Sequence, residues 1–188
     1  MGPEGSDNWH AMLDGAEAIL REEGHAALTS RRVAERIGVK QRLVYYYFRT
    51  MDDLAISLFR RMAERELARL KEAAAHPYPL RTLWDISLNS TDSRLIAEFM
   101  ALANRIEGLK REVIHFIEAS RELEVGVLTK ALQRAPQISN MGPTGLTVTI
   151  TSLALLLSRE RQLGVSSGHQ EIIGALNALL DQLEPLEV

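Results

Sequence analysis

A short basic and aromatic run, VKQRLVYYYFRT at positions 39–50, holds four of the ten aromatic residues of the chain. Lys40, Arg42 and Arg49 lie beside these rings. Cationic groups and tyrosine hydroxyls donate hydrogen bonds to phosphate oxygens, and aromatic rings pack against thymine methyl groups or inside a protein core. The run therefore suits contact with nucleic acid, while the alternative interpretation is an aromatic core segment or an edge strand.

The charge of the chain is distributed unevenly. The net charge is −3, which argues against a generally basic, non-specific nucleic-acid binder. Between Thr29 and Thr50, however, six lysine and arginine residues stand against Glu35 alone, which gives a local charge of +5. The sequence thus predicts one basic face on an acidic body, and this favours the nucleic-acid interpretation of the aromatic run.

Two short helices joined by a tight turn are predicted to position this run. Thr29 can cap a second helix that Gly38 ends, and a third helix would span about residues 40–46. Ala34 is small enough for the point where the two helices cross, and Gly38 tolerates the positive φ of the turn. This spacing is typical of a helix-turn-helix, which places its later helix in the major groove of DNA. The apolar seam and core predicted for this unit consist of Val33, Ile37, Val39, Val44 and Phe48.

Helical periodicity covers the rest of the chain as well, so the predicted fold class is all-α with about nine helices. A long fourth helix is expected from a Thr50/Asp53 capping box to a proline-rich break at His76–Pro79. The β-branched run at 147–151 could be a strand, but it has no partner, and we expect a helix there. The other helices are predicted over residues 8–23, 80–89, 92–105, 107–134 and 144–162, with a loop at 135–143. A last helix is predicted to begin at a capping box at Ser167–Gln170 and to end at about Leu183.

Composition places the chain among ordinary globular proteins, with 46% hydrophobic and 25% charged residues. The absence of cysteine excludes disulfides and thiolate metal sites, which fits a reducing compartment. The N-terminus shows no secretory signal pattern. The longest apolar stretch, Leu146 to Leu157, is shorter than the roughly 20 residues that a membrane span needs. We therefore expect a cytoplasmic protein without a membrane segment.

The segment LTSRRVAERIGVKQRLVYYYFRTMDDL, which begins at Leu28, resembles the TetR family of transcriptional repressors, and the resemblance covers about residues 9–60. The resemblance implies a helix-turn-helix DNA-binding domain over residues 1–55. It also implies a helical ligand-binding and dimerisation domain over residues 56–188. The expected partners are double-stranded DNA, a second copy of the chain and a small-molecule effector of unknown identity.

The resemblance also implies roles for individual side chains at the DNA. Arg31 would reach a guanine, and Gln41 and Arg42 would read base edges. Thr29 and Ser30 would cap the second helix and touch phosphate. The full set of predicted DNA-binding residues, which adds phosphate, thymine and backbone contacts, is Thr29, Ser30, Arg31, Lys40, Gln41, Arg42, Leu43, Tyr45, Tyr46 and Tyr47.

Two positions depart from the family pattern. Met51 opens the fourth helix where the family usually has a lysine that binds phosphate. This substitution weakens the phosphate contact unless the free N–H groups of the helix N-terminus replace it. Arg42 stands where a small residue or proline is more common. It either adds a contact or narrows the choice of operator.

The second domain contains two long apolar stripes and several residues suited to a pocket. The stripes would form a four-helix bundle with a two-fold mate; the alternative is that they complete the core of this chain. The predicted dimer residues are Leu146, Ile150, Leu153, Leu157, Ile172, Leu176, Leu179 and Leu183. The predicted ligand-binding residues are Leu83, Trp84, Phe99, Met100, Asn104, His115 and Phe116, of which Asn104 and His115 supply the polar groups.

The function predicted from these features is a ligand-responsive transcriptional regulator, a repressor that binds a palindromic operator as a homodimer. One alternative is a constitutive DNA-binding regulator or activator without a ligand. Another is a helical-bundle enzyme or metal protein, because Glu112-x-x-His115 has the spacing of a di-iron ligand pair. The only similar pair, Glu22-x-x-His25, straddles Gly24 at a predicted helix end. We therefore expect no catalytic residues, no metal and no cofactor.

Overall fold

The computed structural model describes residues 3–90, 92–135 and 140–186. All regular secondary structure in these ranges is helical, which confirms the predicted all-α fold class. Residues 147–151 are helical, as expected. The α-helices are α1 (Asp7–Glu23), α2 (Ser30–Arg36), α3 (Gln41–Tyr47), α4 (Met51–Ala74), α5 (Pro79–Asp85), α6 (Ser93–Ala103), α7 (Glu107–Arg134), α8 (Pro143–Gln162) and α9 (His169–Leu183). A 3₁₀ turn at His25–Ala27 precedes α2, and a π-helical turn at Ile86–Ser90 follows α5.

Short polar residues fix where several helices begin. The Thr29 hydroxyl accepts a hydrogen bond from the backbone N–H of Arg32 at 3.2 Å. At the start of α4, the Thr50 hydroxyl accepts from the N–H of Asp53, and the Asp53 carboxylate accepts from the N–H of Thr50. These reciprocal bonds satisfy N–H groups that have no partner within the helix, and both predicted caps are confirmed.

The predicted capping box of the last helix is wrong. Gly168, with φ of 78°, occupies the cap position of α9, and no side chain bonds the first free N–H groups there. The hydroxyl of Ser167 is therefore not used as a cap. The loop predicted at 135–143 includes residues 136–139, which lie outside the described residues.

The chain divides into two compact units that do not follow a single cut along the sequence. The first comprises residues up to Arg65 together with Arg94–Phe116, and the second comprises Glu66–Ser93 together with residues from Ile117 onwards. A continuous division after residue 55 stays a prediction.

The core of the first unit surrounds the helix-turn-helix. Met12, Leu13, Ile19 and Leu20 of α1 are completely buried. Phe48 is 3% exposed, as predicted for a core residue, and is in the same apolar cluster. The other members with at most 1% exposure are Ala16, Val33, Val44, Leu54, Leu58 and Leu109. Burial on this scale stabilises each large side chain by roughly 1.5–3 kcal/mol and holds α2 and α3 on α1 and α4.

The second unit packs α5 against α8 and α9. Trp84 and Leu88 lie in one apolar cluster with Leu157 of α8 and Leu176 of α9. Arg81 of α5 donates hydrogen bonds to the Asp181 carboxylate at 2.6 Å and to the backbone carbonyl of Glu184. The end of α9 is thereby attached to the start of α5.

The apolar stripes of α8 and α9, which were predicted to form the dimer contact, face the core of the second unit. Leu157 is fully buried, and Leu146, Leu176 and Leu183 are at most 9% exposed. The remaining four, Ile150, Leu153, Ile172 and Leu179, are half-buried and pack against the same clusters. These positions complete the core of the chain, which was the alternative interpretation, and their part in a dimer stays a prediction.

A different face of the last two helices points outward. Leu155 and Val148 of α8 are 40% and 36% exposed. The exposed small or apolar residues on these helices are Gly145, Val148 and Leu155 on α8 and Gly174, Ala175 and Ala178 on α9. Small residues allow close approach of a partner backbone, so this face is the surface that remains for a second helix pair.

Candidate nucleic-acid interface

The turn between α2 and α3 has the geometry that the sequence predicts. Gly38 adopts φ of 73°, a left-handed conformation that costs residues with a Cβ roughly 1–2 kcal/mol. The N–H of Val39 donates to the carbonyl of Ala34 at 2.9 Å and closes the turn. Ala34 is 3% exposed, because it lies inside the helix contact. The turn therefore fixes the start of α3 relative to α2.

A second glycine, which the sequence reasoning did not single out, brings α1 close to the end of α2. A Cβ on Gly15 would lie 2.8 Å from Cγ2 of Ile37, closer than side-chain contacts allow. A glycine inside a helix costs about 1 kcal/mol relative to alanine. A glycine within a predicted helix was therefore the signal in the sequence that could have indicated a packing role for Gly15.

Three polar side chains form a hydrogen-bonded chain across the turn. The Gln41 amide donates to the Ser30 hydroxyl at 2.8 Å, and the Ser30 hydroxyl donates to the Tyr45 hydroxyl at 2.9 Å. Ser30 is buried, whereas Tyr45 is 50% exposed. Since Tyr45 accepts within the chain, its own O–H remains available to donate outward, for example to a phosphate oxygen. Ser30 thus orients two predicted DNA contacts, while its own phosphate contact stays a prediction.

The arginines of α2 are partly neutralised by glutamates. Arg31 bonds Glu35 at 2.8 Å one turn along the helix. The end of α1 supplies the partners of the other two: Arg32 pairs with Glu23 and Arg36 pairs with Glu22. The hydrogen bonds from these arginines hold the pKa values of Glu22 and Glu23 below their ordinary range. The local charge of +5 is therefore smaller in the fold than in the sequence count, because α1 brings carboxylates from outside the counted segment.

The cations of α3 and of the segment after it lie outside the ion pairs found among the described residues. Lys40, Arg42 and Arg49 are exposed, and no ion pair to any of them is found among the described residues. Lys40 is the residue that caps α3, so its side chain lies at the helix N-terminus beside exposed Gln41 and Arg42. The positive charge that remains available to a polyanion is thus concentrated at α3.

The aromatic run divides between the surface and the core. Tyr45 and Tyr46 are 50% and 52% exposed, but Tyr47 is 8% exposed and lies in the core cluster of the first unit. Leu43 is half-buried against the same cluster. A DNA contact by either buried side chain stays a prediction. At the start of α4, Met51 also packs against this core and leaves no cation at that position.

The predicted ligand-binding residues are divided between the two units, and their part in a common ligand site stays a prediction. Leu83 and Trp84 line a cavity of about 50 Å³ in the second unit. Phe99 and Phe116 pack around Phe59 in the first unit, with ring centroids 5.1 and 6.0 Å from it. The other three predicted residues, Met100, Asn104 and His115, are exposed and do not line the cavity.

The cavity is lined instead by residues that the sequence reasoning did not connect. Four predicted dimer residues form part of its wall: Ile150, Leu176, Leu179 and Leu183. Its polar lining residues include Glu124 of α7 and Thr147 of α8. The sequence periodicity of these two helices does not distinguish either position from a solvent-facing one. Their proximity follows from packing between helices distant in sequence.

The histidine and glutamate pairs considered as metal ligands have other partners. Glu112 accepts a hydrogen bond from Arg60 at 2.6 Å, and Glu22 bonds Arg36. The Glu98 carboxylate accepts from the backbone N–H of His25 at 2.7 Å and contacts its ring. Within the described ranges, no group of three or more histidine, aspartate or glutamate side chains could hold a metal ion. No helix in those ranges is long and apolar enough to cross a membrane.

Comparisons with known proteins agree with this geometry. Residues 12–58 match the family described as bacterial regulatory proteins, tetR family. No curated protein matches the chain. A solved protein described as a transcriptional regulator from Pseudomonas aeruginosa PAO1 is 19% identical, with a TM-score of 0.77 over 97% of this chain and 92% of that one.

Two further solved structures have the same fold. A TetR transcriptional regulator from Legionella pneumophila is 20% identical, with a TM-score of 0.71 over 94% of this chain and 97% of that one. A transcriptional regulator from Bacillus subtilis in complex with stearoyl-CoA is 15% identical, with a TM-score of 0.63 over 95% of this chain and 100% of that one.

The fold and the interface define an all-helical protein with an N-terminal helix-turn-helix, and this fold is shared with solved transcriptional regulators. The resemblance to the TetR family is confirmed: residues 12–58 match the model of that family, and the chain has the fold of a solved TetR-family regulator.

Proposed function

We propose that this chain is a ligand-responsive repressor that binds a palindromic operator as a homodimer and leaves it when a small molecule binds the second unit. The observation that carries the proposal is the surface of α3, where Lys40, Gln41 and Arg42 are exposed side by side and form no ion pair with any residue that the structure describes. Lysine and arginine suit phosphate and guanine, and glutamine suits adenine. A protein with this proposed function would act in the cytoplasm.

The Gln41–Ser30–Tyr45 chain supports this proposal because it holds one base-reading group and one phosphate donor in fixed positions. A site whose donors are already oriented loses less conformational freedom on binding. The pair between Arg31 and Glu35 does not prevent a guanine contact, since an exposed pair of this spacing contributes about 0.3–0.5 kcal/mol.

The first experiment is selection of bound sequences from a random duplex pool, followed by affinity measurements at several salt concentrations. We expect an inverted repeat to be enriched. Gln41→Ala should relax sequence preference at one position of each half-site, whereas Gln170→Ala, an exposed glutamine on α9, should not. Failure to enrich any sequence would contradict the operator proposal.

The salt dependence separates phosphate contact from base reading. Lys40→Ala should weaken binding similarly for all sequences and reduce the slope of log affinity against log salt by about 1 per subunit. Lys130→Ala, an exposed lysine on α7, is the matched control and should leave the slope unchanged. Equal slopes for both variants would remove Lys40 from the interface.

The homodimer is supported by the outward face of α8 and α9. Leu155→Asp places a charge on that face and should shift the protein from dimer to monomer in sedimentation. Leu163→Asp, at a more exposed leucine just after α8, is the control and should leave the dimer intact. A dimer that survives Leu155→Asp would exclude this face.

Control by a ligand is supported by the cavity in the second unit and by the Bacillus subtilis relative, which was determined with stearoyl-CoA. An effector acts by binding one dimer geometry more tightly than the other, so that the recognition helices no longer match half-sites about 34 Å apart. The competing function is a regulator without an effector. An operator affinity that no cavity ligand changes would favour that alternative.

A further inference from the structure

The cavity of the second unit combines an apolar wall with one ionisable group. Its volume is about 50 Å³. Among the described residues that line it, Glu124 of α7 is the only ionisable one. The apolar lining residues are Leu80, Leu83, Trp84, Leu128, Ile150, Leu176, Leu179, Leu180 and Leu183.

The Glu124 carboxyl has no partner in this wall. No hydrogen bond or ion pair to its oxygens is found among the described residues, and Arg121, one turn earlier on α7, acts on it only through its charge. Burial raises the pKa of Glu124 to about 7, and the charge of Arg121 opposes that effect. A half-buried carboxylate without a partner is unfavourable, and a cation brought into the cavity would relieve this cost.

A second polar group of the cavity is also unpaired. Thr147 is 4% exposed and lines the cavity, and its hydroxyl oxygen has no hydrogen-bond partner in the described part of the chain. Its neighbour Thr151 differs, because the Thr151 hydroxyl donates to the carbonyl of Thr147 at 2.9 Å. A buried hydroxyl without a partner costs about 1–3 kcal/mol, so a ligand group that accepts from it or donates to it is favoured.

We infer that this cavity binds a small, largely apolar molecule with one protonated amine, whose ammonium group pairs with Glu124 and whose hydrocarbon part lies against Trp84 and the leucines. The inference rests on the proposed effector function and names the chemical class of the effector. A charge-assisted hydrogen bond in an apolar site is about twice as strong as a neutral one, which selects the amine over an alcohol of equal size.

An anionic ligand is disfavoured by the same groups. The lining residues that the structure describes include no lysine, arginine or histidine, so a carboxylate or phosphate would meet Glu124 without a compensating cation from them. A neutral alkyl chain would fill the apolar wall but would leave Glu124 and Thr147 unpaired. The polar pattern therefore discriminates among ligands of similar shape by charge.

The test is a titration of the full-length protein with butylamine, 1-butanol and butyrate at pH 7.5, followed by NMR. The indole N–H of Trp84 reports the cavity, and that of Trp9, in the first unit, is an internal control. We expect butylamine to shift the Trp84 signal and to bind at least tenfold more tightly than 1-butanol. Butyrate should bind more weakly than either compound.

Two variants connect this preference to the carboxyl. Glu124→Gln keeps the shape of the side chain and should weaken butylamine at least tenfold without changing 1-butanol. Glu122→Gln, at an exposed glutamate two residues earlier on α7, should change neither compound. Equal binding of butylamine and 1-butanol, or equal loss of both in Glu124→Gln, would overturn the inference.

Failure of the inference can be told from failure of the proposed function. If an operator is selected but butylamine shows no preference over 1-butanol, the DNA-binding function stands and the ligand class is wrong. If none of the three compounds shifts Trp84, the cavity is not the ligand site and the inference falls, again without affecting the operator result. If butylamine binds through Glu124 but no operator is selected, the ligand class is correct and the repressor function is wrong.

Discussion

Replacing Glu124 by glutamine removes an ionisable group whose charged form is disfavoured in the folded chain. Burial raises the pKa of Glu124 from its ordinary value of 4.5 to about 7. Each unit of pKa corresponds to about 1.4 kcal/mol, so the shift is equivalent to at most roughly 3–4 kcal/mol. Because the side chain is only half-buried, we expect about 2–3 kcal/mol after allowance for solvent screening.

The sign of this effect follows from the raised pKa. Below pH 4.5 the carboxyl is protonated in both the folded and the unfolded chain, and Glu124→Gln should change the free energy of unfolding little. Between pH 4.5 and about 7 the unfolded chain loses its proton first, so the wild type loses stability relative to the variant. Above pH 7 the difference should be constant, with the glutamine variant more stable.

Urea denaturation followed by circular dichroism, repeated from pH 4 to pH 8, measures this difference. Glu122→Gln is the control, and its difference from wild type should not follow the same curve. A difference for Glu124→Gln that is flat across this range would refute the assignment of a buried, unpartnered carboxyl. Addition of butylamine above pH 7 should restore stability to the wild type but not to the glutamine variant.

Two further expectations concern the first unit and a glycine control. Gly38→Ala should lower the free energy of unfolding by about 1–2 kcal/mol because φ is positive at this position, although a Cβ there would meet no atom within 4 Å. Gly126→Ala is the control, because a Cβ is equally unobstructed there and Gly126 lies inside α7. It should raise the free energy of unfolding by about 0.5–1 kcal/mol in the same urea assay. Burial raises the pKa of Glu98, but hydrogen bonds from the backbone and ring of His25 outweigh burial and lower it overall. The advantage of wild type over Glu98→Gln should therefore be present above pH 4.5 and disappear as the pH falls below it; an advantage that persists at low pH would contradict a charged Glu98 contact.

The helix-turn-helix could be predicted from the sequence because it depends on interactions between residues that are close along the chain. Thr29 caps α2, Gly38 adopts the positive φ of the turn, and Thr50 and Asp53 cap α4 as the sequence predicts. Each of these features depends on residues within four positions along the chain, so composition and spacing contain the necessary information. The cap of α9 differs because Ser167 competes with a left-handed glycine, and local preference alone does not decide between them.

Features that depend on which helices meet could not be predicted. The apolar stripes of α8 and α9 are visible in the sequence, but an apolar stripe packs equally well on a partner chain or on α5. Likewise, the sequence showed one acidic residue among the cations of residues 29–50, whereas the fold brings Glu22 and Glu23 of α1 to the same arginines.

The sequence by itself therefore determined the helical class, the turn that presents α3 and the family of the N-terminal segment, because these follow from short-range geometry. Tertiary structure alone decided which charges of the basic face remain unpaired, which face of α8 and α9 stays exposed, and that Glu124 enters an apolar cavity. These outcomes depend on contacts between residues far apart in sequence, where neither periodicity nor local charge specifies the neighbour.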